Sequence, residues 1–367
     1  MANALLQICN SCQHEFRAPT ALKGQWTMCP HCGDKIMIER TEQTKDPLVG
    51  REVHGYRLER RIGAGSMAAV YLAVDGRTHQ QVAIKLLSTK AAKDLELVRR
   101  FQREANLCRR LEHPNIVKAY EAGEEKGAHF LILEYVDGIS LAQIITQEER
   151  LPWKRAAHIV RAVASALNHT RSIGVLHRDI KPGNILVTED GHVKLVDLGL
   201  GKELDADSTA LTLQGSCMGT PAYMAPEQIV DSSQVAHTAD IYAPGATFYH
   251  AVVGRQPYPG STAAEIMHRL RHDTATPPGE VVPDLPKGIN DLICFMLERD
   301  PDQRPQDPAE LVTVIDEALS DPSRPVRHRR RRKRKRSGHG ATILALIVFL
   351  ILAVAAAWLV LRNQLVI

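Results

Sequence analysis

At 367 residues the chain has room for roughly two to three domains and a sizeable core. Its net charge of +4 misleads: ten Lys/Arg crowd residues 324–336, leaving 36 bases against 42 acids elsewhere, and so mildly acidic a body gives no sign of a general nucleic-acid binder. Seven cysteines divide into the paired Cys9, Cys12, Cys29 and Cys32 and the isolated Cys108, Cys217 and Cys294, which suits a reducing cytosol better than a disulfide framework, and no charged-then-apolar leader opens the chain.

Cys9-x2-Cys12 and Cys29-x2-Cys32, sixteen residues apart, have the spacing of a zinc site closed by four thiolates. Each pair can form a turn that presents two sulfurs to one metal, and Gly33 suits such a turn. Phe16 with Ile36 or Ile38 supplies what little core exists. A segment this short cannot fold on apolar burial alone, so Zn²⁺ would contribute about 10–16 kcal/mol of apparent binding energy. Residues 1–40 resemble a small zinc ribbon with a structural metal. No βαβ pattern surrounds either pair, against a redox motif, and with four thiolates present His14 and His31 read as bystanders. Residues 41–55 read as a linker, with Thr41 to Arg51 polar and holding one proline and one glycine.

From Tyr56 to Leu72 the pattern is strand, glycine turn, strand, with Ile62-Gly63-Ala64-Gly65 entering the turn and Ala68-Ala69-Val70 leaving it. A lone Gly-x-Gly is an ordinary hairpin turn. The next strand, Val82-Ala83-Ile84-Lys85, ends in a lysine that would usually be a solvated edge residue. Asp94 to Leu111 then reads as an amphipathic helix with Leu97, Phe101, Ala105, Cys108 and Leu111 on one stripe. Glu104 flanks that stripe, whereas Glu96 reads as a surface charge. His113-Pro114-Asn115-Ile116-Val117 ends the helix and starts a strand, and Phe130 to Val136 is an interior strand running into a hinge.

Trp153 to Ser172 carries Ile159, Val160, Val163 and Leu167 at helical spacing and is a core helix. It delivers the chain to His177-Arg178-Asp179-Ile180-Lys181-Pro182-Gly183-Asn184, a loop that leads into the strand Ile185-Leu186-Val187. Phosphoryl transfer needs this mixture. Asp179 can take the proton of an incoming hydroxyl, Lys181 can meet the charge of the moving group, and Asn184 offers a neutral oxygen to Mg²⁺. Asp197-Leu198-Gly199 follows a hairpin-like turn. With Asp-x-Lys-x-x-Asn complete, the stretch resembles the catalytic loop of the protein kinases, and Lys181 resembles their Ser/Thr-specific branch.

The resemblance covers Tyr56 to Leu319 and implies an α+β, bilobal protein kinase fold with a β-rich small lobe and a helical large lobe. It implies that Ile62, Gly63, Gly65, Val70, Ala83, Lys85, Glu104, Glu134, Val136 and Leu186 bind ATP. Lys85 would grip the α- and β-phosphates with Glu104 as its carboxylate partner. Leu133 would be the gatekeeper, and Glu134 to Val136 would meet adenine through backbone groups. Asn184 and Asp197 would hold Mg²⁺. The third glycine of the phosphate loop is replaced by Ala68, which should stiffen it.

Between Gly199 and Ala225, Ser208, Thr209, Thr212 and Ser216 are candidate regulatory phosphosites, because Arg178 before the catalytic Asp is the arginine such phosphates engage in the family. Gly219-Thr220-Pro221-Ala222-Tyr223-Met224-Ala225-Pro226-Glu227 resembles the substrate-facing end of that loop, and Glu227 with Arg304 resembles the family's buried ion pair. Asp240 by family pattern supports the catalytic loop from the next helix. Pro244 should kink that helix past its first turn, at ~3 kcal/mol. Residues 290–297 and 308–319 close the lobe as helices.

Residues 320–340 form a basic linker, and Ala341 to Leu361 are 21 uncharged residues. At ~1.5 Å per residue these span roughly 31 Å, a hydrocarbon core's thickness, so a transmembrane helix is expected with a short tail, 362–367, outside. The basic flank would meet anionic lipid and keep the kinase lobes cytoplasmic at the inner membrane. The whole resembles a bacterial membrane-anchored Ser/Thr kinase acting on protein substrates, with a homodimer suiting trans-autophosphorylation. Two other readings compete. A pseudokinase scaffold draws on Ala68 and Pro244 and would transfer no phosphate. A zinc-ribbon adaptor for nucleic acid or protein lacks a basic or aromatic cluster in residues 1–45.

Overall fold

The structure is a computed structural model and describes residues 4–9, 15–19, 22, 25–29, 35–37, 46–65, 67–197, 221–230 and 236–326. At the N-terminus two small antiparallel hairpins form, β1 (Ala4–Ile8) with β2 (Glu15–Pro19) and β3 (Trp26–Met28) with β4 (Lys35–Met37). Cys9 directly follows β1 and Cys29 directly follows β3. Both are buried in one small cluster with Ile36, against which Phe16 packs. Cys12, Cys32, Gly33 and Ile38 lie outside the described residues.

The small lobe is a six-stranded antiparallel sheet in the order β5-β6-β7-β8-β10-β9. Its strands are β5 (Glu52–Val53), β6 (Tyr56–Ala64), β7 (Ala68–Asp75), β8 (Gln81–Leu87), β9 (Ala119–Glu125) and β10 (Ala128–Glu134). β5 falls within the stretch read as linker: residues 46–55 give this lobe an edge strand and a turn. Both faces of the sheet are apolar. One face carries Leu58, Tyr71, Ala73, Val82, Ile84, Phe130 and Ile132, and Leu48 and Val53 pack on it from that same stretch. The other joins the core beneath α1 (Leu95–Cys108), whose Val98, Phe101, Ala105 and Cys108 are buried. Asp94 caps this helix by accepting from the amides of Glu96 and Leu97 at 2.9 and 3.4 Å, satisfying donors that the first turn leaves unpaired. The helix ends three residues short of Leu111, which remains buried.

Past the hinge, β11 (Gly138–Ser140), β12 (Ile185–Thr188) and β13 (Val193–Leu195) form a three-stranded sheet. Ser140 and Gln143 make a reciprocal capping box for α2 (Leu141–Glu148). The expected core helix is α3 (Trp153–Ser172), with Ile159, Val160, Val163 and Leu167 all buried. α4 (Pro226–Val230), α5 (His237–Val253), α6 (Ala263–His272), α7 (Pro278–Val281), α8 (Lys287–Met296) and α9 (Pro308–Ser320) complete the large lobe. The last two match the closing helices expected from sequence within a few residues.

α5 runs as one helix through Pro244, which is buried inside it. The proline removes the amide that would bond the Asp240 carbonyl one turn back. Packing on all sides outweighs that loss: a Cβ on the neighbouring Gly245 would stand 2.6 Å from the Met296 Cβ, so α5 and α8 meet nearly backbone to side chain. Among the described residues no helix is long and apolar enough to cross a membrane, and the stretch 341–361 lies outside them.

Candidate active site

The two lobes bring six of the sequence-selected polar groups to their junction. Lys85 lies buried within β8, with Nζ 2.7 Å from Glu104 Oε1 and 2.9 Å from Asp197 Oδ1. Glu104 is 4 % exposed, so the carboxylate beside the apolar stripe of α1 does point inward. Burial alone would pull the Lys85 ammonium down, but Asp197 and Glu104 outweigh it and hold it above its ordinary value. Lys85 in turn depresses Asp197 below the usual carboxylate range. Glu104 is raised, because its burial exceeds what Lys85 returns. One cation thus ties α1, β8 and Asp197, two residues past β13, into a single cluster. Cys108, one turn beyond Glu104, has its thiol pushed up to about 12 by burial and by that carboxylate, so it is a packing residue.

The catalytic-loop octet is held from beneath. Asp240, buried at the start of α5, accepts from the amides of His177 and Arg178 at 2.7 and 2.9 Å, so Pro244 leaves this support in place. Arg178 has φ of +62° and Asp197 φ of +50°, conformations that non-glycine residues adopt only when their surroundings hold them there. Asn184 donates its amide to the Asp179 carbonyl at 2.8 Å and to the Asp179 carboxylate at 3.1 Å. That orientation leaves Oδ1 as the group offered to a cation. Lys181 Nζ stands 3.4 Å from Asp179 Oδ2. The amide of Val196 donates to the Asn184 carbonyl at 2.9 Å, fastening the loop to the segment that presents Asp197.

The glycine turn lies between β6 and β7, where Gly65 N–H donates to the Ala68 carbonyl at 2.8 Å. Ala68 is buried against the core, so the side chain that replaces glycine faces inward. Val70 pairs with Lys85, and Ala83 pairs with Leu133 at the mouth of the hinge. Ile62 and Gly63 are half-buried at the end of β6, and Leu186 lies on β12 opposite Lys194. Glu134 has its side chain occupied by Lys194 at 2.8 Å and by the Lys118 amide at 3.1 Å, and its own backbone N–H donates to the Lys118 carbonyl at 2.8 Å.

Glu227 and Arg304 form the expected ion pair, bidentate at 2.6 and 2.8 Å, with the arginine side chain fully buried. Ser208, Thr209, Thr212 and Ser216 lie outside the described residues.

Several supports were not singled out from sequence. Asn115 Nδ2 donates to the Val193 carbonyl at 2.9 Å, and its own carbonyl accepts from Leu195 at 2.8 Å, pinning the end of the α1 segment to β13. Lys194 was masked by alternation, since it sits between the buried Val193 and Leu195 as a surface lysine would. Tyr223 of the substrate-facing segment is bonded to His250 of α5 at 2.7 Å.

Residues 56–321 match the protein kinase domain family. The chain is 37 % identical over 260 residues to the serine/threonine-protein kinase PrkC of Bacillus subtilis, a match covering 70 % of this chain and 39 % of PrkC. It is 36 % identical over 264 residues to PknA of Mycobacterium tuberculosis, covering 70 % of this chain and 60 % of PknA. The alignment therefore spans about two fifths of PrkC and three fifths of PknA. The crystal structure of the M. tuberculosis PknI kinase domain is similar with a TM-score of 0.57 at 29 % identity, covering 73 % of this chain and 97 % of that one. A small sheet lobe, a helical lobe, the Lys85–Glu104–Asp197 cluster between them and these likenesses converge on one assignment: the chain belongs to the Hanks-type serine/threonine protein kinase family.

Proposed function

We propose that the chain transfers the γ-phosphoryl group of ATP to serine and threonine hydroxyls of protein substrates. The observation that supports this best is the junction itself, where the Lys85–Glu104–Asp197 cluster and the Asp179–Lys181–Asn184 cluster are joined through the bond from the Val196 amide to the Asn184 carbonyl. Lys85 holds the α- and β-phosphates, and Glu104 holds Lys85. Ile62, Gly63, Gly65 and Val70 cover the phosphates, while Ala83, Leu186 and the backbone of Glu134 and Val136 enclose adenine. Asp179 orients the incoming hydroxyl and takes its proton as the oxygen bonds to the γ-phosphorus. The bond from that phosphorus to the bridging oxygen breaks, ADP leaves, and Lys181 meets the charge on the moving group. Asn184 and Asp197 fit Mg²⁺ as oxygen donors, and the ion when bound neutralises charge across the phosphate oxygens. The test is label transfer from γ-³²P-ATP by the purified full-length protein to itself and to a generic protein substrate. No transfer with Mg²⁺ present would favour a scaffold instead.

The N-terminal residues 1–40 we read as a zinc ribbon, with Cys9, Cys12, Cys29 and Cys32 as ligands. The burial of Cys9 and Cys29 in one cluster supports a shared metal. Metal analysis of reduced protein should find about one zinc per chain, and a Cys9→Ser variant without zinc loss would count against it. Residues 320–340 and 341–361 we read as a basic flank and a membrane span that place the kinase at the inner membrane, facing the cytoplasm. Ten bases before the span against Arg362 after it support that orientation. A reporter that works only outside the membrane should be active when fused after Ile367 and silent when fused before Met1; the opposite pair overturns the topology. A homodimer would serve autophosphorylation in trans, and a monomeric mass by light scattering at the assay concentration would remove it.

A further inference from the structure

The glycine-rich loop hangs from β6 and β7, yet the ladder between these strands is irregular where it matters. Register shifts fall between Leu58 and Arg60 and again between Arg61 and Gly63, so Arg60 and Arg61 form a short island of pairing just before the loop. In that island Arg61 faces Tyr71. Arg61 precedes Ile62 and Tyr71 follows Val70, the two apolar residues that cover the phosphate site. Something besides the ladder must fix this pair.

Residues 46–55 supply it. Asp46 Oδ2 accepts from the Tyr71 hydroxyl at 3.0 Å and lies 3.6 Å from an Arg61 nitrogen. Tyr71 is 2 % exposed, and burial together with this bond pushes its phenol up to about 12. Arg61 is more than half exposed, so the phenol carries the connection and the ion pair adds little. The aspartate is itself held. Its Oδ1 accepts from the Leu48 amide at 3.0 Å, and Leu48 packs on the sheet face beside Tyr71. Gly50 N–H donates to the Leu58 carbonyl at 2.7 Å and Leu58 N–H to the Arg51 carbonyl at 2.9 Å, stitching the segment to β6 upstream of the first irregularity. Asp46 therefore bridges a continuous part of the sheet and an interrupted one, ten residues ahead of the family match that begins at Tyr56.

We propose that Asp46 is a positioning residue for ATP: through Tyr71 it sets the strand pair that carries the glycine-rich loop over the phosphates. The inference rests on the kinase reading above. It acts on binding and leaves the catalytic loop untouched, so its signature is a rise in KM for ATP at nearly constant kcat.

The experiment measures KM for ATP and kcat on a generic protein substrate with the full-length protein, as wild type, Asp46→Ala, Asp46→Asn, Tyr71→Phe and Asp46→Ala/Tyr71→Phe. Asp46→Ala and Tyr71→Phe should each raise KM roughly fivefold, the factor carried by one net hydrogen bond, with kcat within about twofold. The double variant should be no worse than either single one, because both remove the same bond. Asp46→Asn keeps an acceptor for the phenol and should stay near wild type. Tyr71→Phe preserves ring packing, so it decides the matter even if Asp46→Ala folds poorly. An unchanged KM in Tyr71→Phe, single-variant effects that multiply in the double, or a fall confined to kcat would each overturn the proposal. A wild type without turnover would instead refute the kinase reading itself.

Discussion

Glu227→Gln is the substitution whose consequence follows most directly from contacts. Arg304 is fully buried and spends all five of its N–H donors. Nε donates to the Glu298 carbonyl, Nη1 to Glu227 and the Thr238 carbonyl, and Nη2 to Glu227 and the Arg299 carbonyl, over distances of 2.6 to 3.2 Å. The guanidinium also lies 4.9 Å from the Tyr242 ring centre. Glutamine is nearly isosteric but offers one acceptor and one donor, so either orientation sets an amide N–H against a guanidinium N–H. More costly still, a desolvated cation loses its counter-charge. Breaking a buried pair from one side costs about 3–5 kcal/mol, and the partial exposure of Glu227 argues for the lower end. For a domain of this size about 3 kcal/mol corresponds to a fall in Tm of roughly 6–12 °C. Thermal unfolding of the full-length protein, followed by circular dichroism, measures it. If the stranded cation is the cause, Glu227→Gln with Arg304→Met should recover part of the loss. A fall under ~2 °C, or a double variant less stable than Glu227→Gln alone, would refute the reasoning.

Asp179→Asn and Lys85→Met should each reduce phosphoryl transfer at least ~10²-fold while Asp179→Asn leaves Tm nearly unchanged, since the loop is held through Asp240 and Asn184; retained turnover in either would break the proposed mechanism. His113 is packed on His169 and bonded to Ser165, and burial first, then His169 and Lys194, lowers its pKa below 6.5. The unfolded chain therefore takes up that proton first, so stability present above about pH 6.5 declines as pH falls below it. Tm measured from pH 7.5 to 5.5 should decline less in His113→Gln than in wild type, and parallel curves would exclude His113 as a source. Mass spectrometry of autophosphorylated enzyme should find phosphate between Ser208 and Ser216, and its absence there would leave Arg178 without the proposed regulatory anion.

The catalytic residues were legible because their chemistry demands fixed types at short spacing: Asp179, Lys181 and Asn184 lie within six positions. Glu104 was legible for another reason, a carboxylate bordering an apolar helical stripe with a buried lysine to satisfy. Asp46 was not, because its partner lies 25 residues away on another strand and a lone aspartate in a polar stretch looks like linker. Lys194 and Glu134, 60 residues apart, were hidden in the same way. Arg304 and Glu227 could be paired only by resemblance. Pro244 was legible as a residue inside this helix, and α5 continues through it from His237 to Val253 with the proline buried.

The pin at Asn115 has a mechanical meaning for α1. Ile116 bridges to Leu195, and Asn115 and Val117 are hydrogen-bonded to the same strand of the large lobe. The helix is therefore anchored beyond Cys108, and a tilt about that end would act as a lever. At ~1.5 Å per residue, Glu104 sits ~6 Å from the helix end and Leu95 ~20 Å from it. Glu104 thus rides the short arm, and the largely exposed Leu95 rides the long one. A tilt that carries Leu95 ~6 Å moves Glu104 ~2 Å, which is enough to break a 2.7 Å contact with Lys85. The gearing of roughly three to one lets a weak push at the far end of the helix disengage a tight ion pair at the near one.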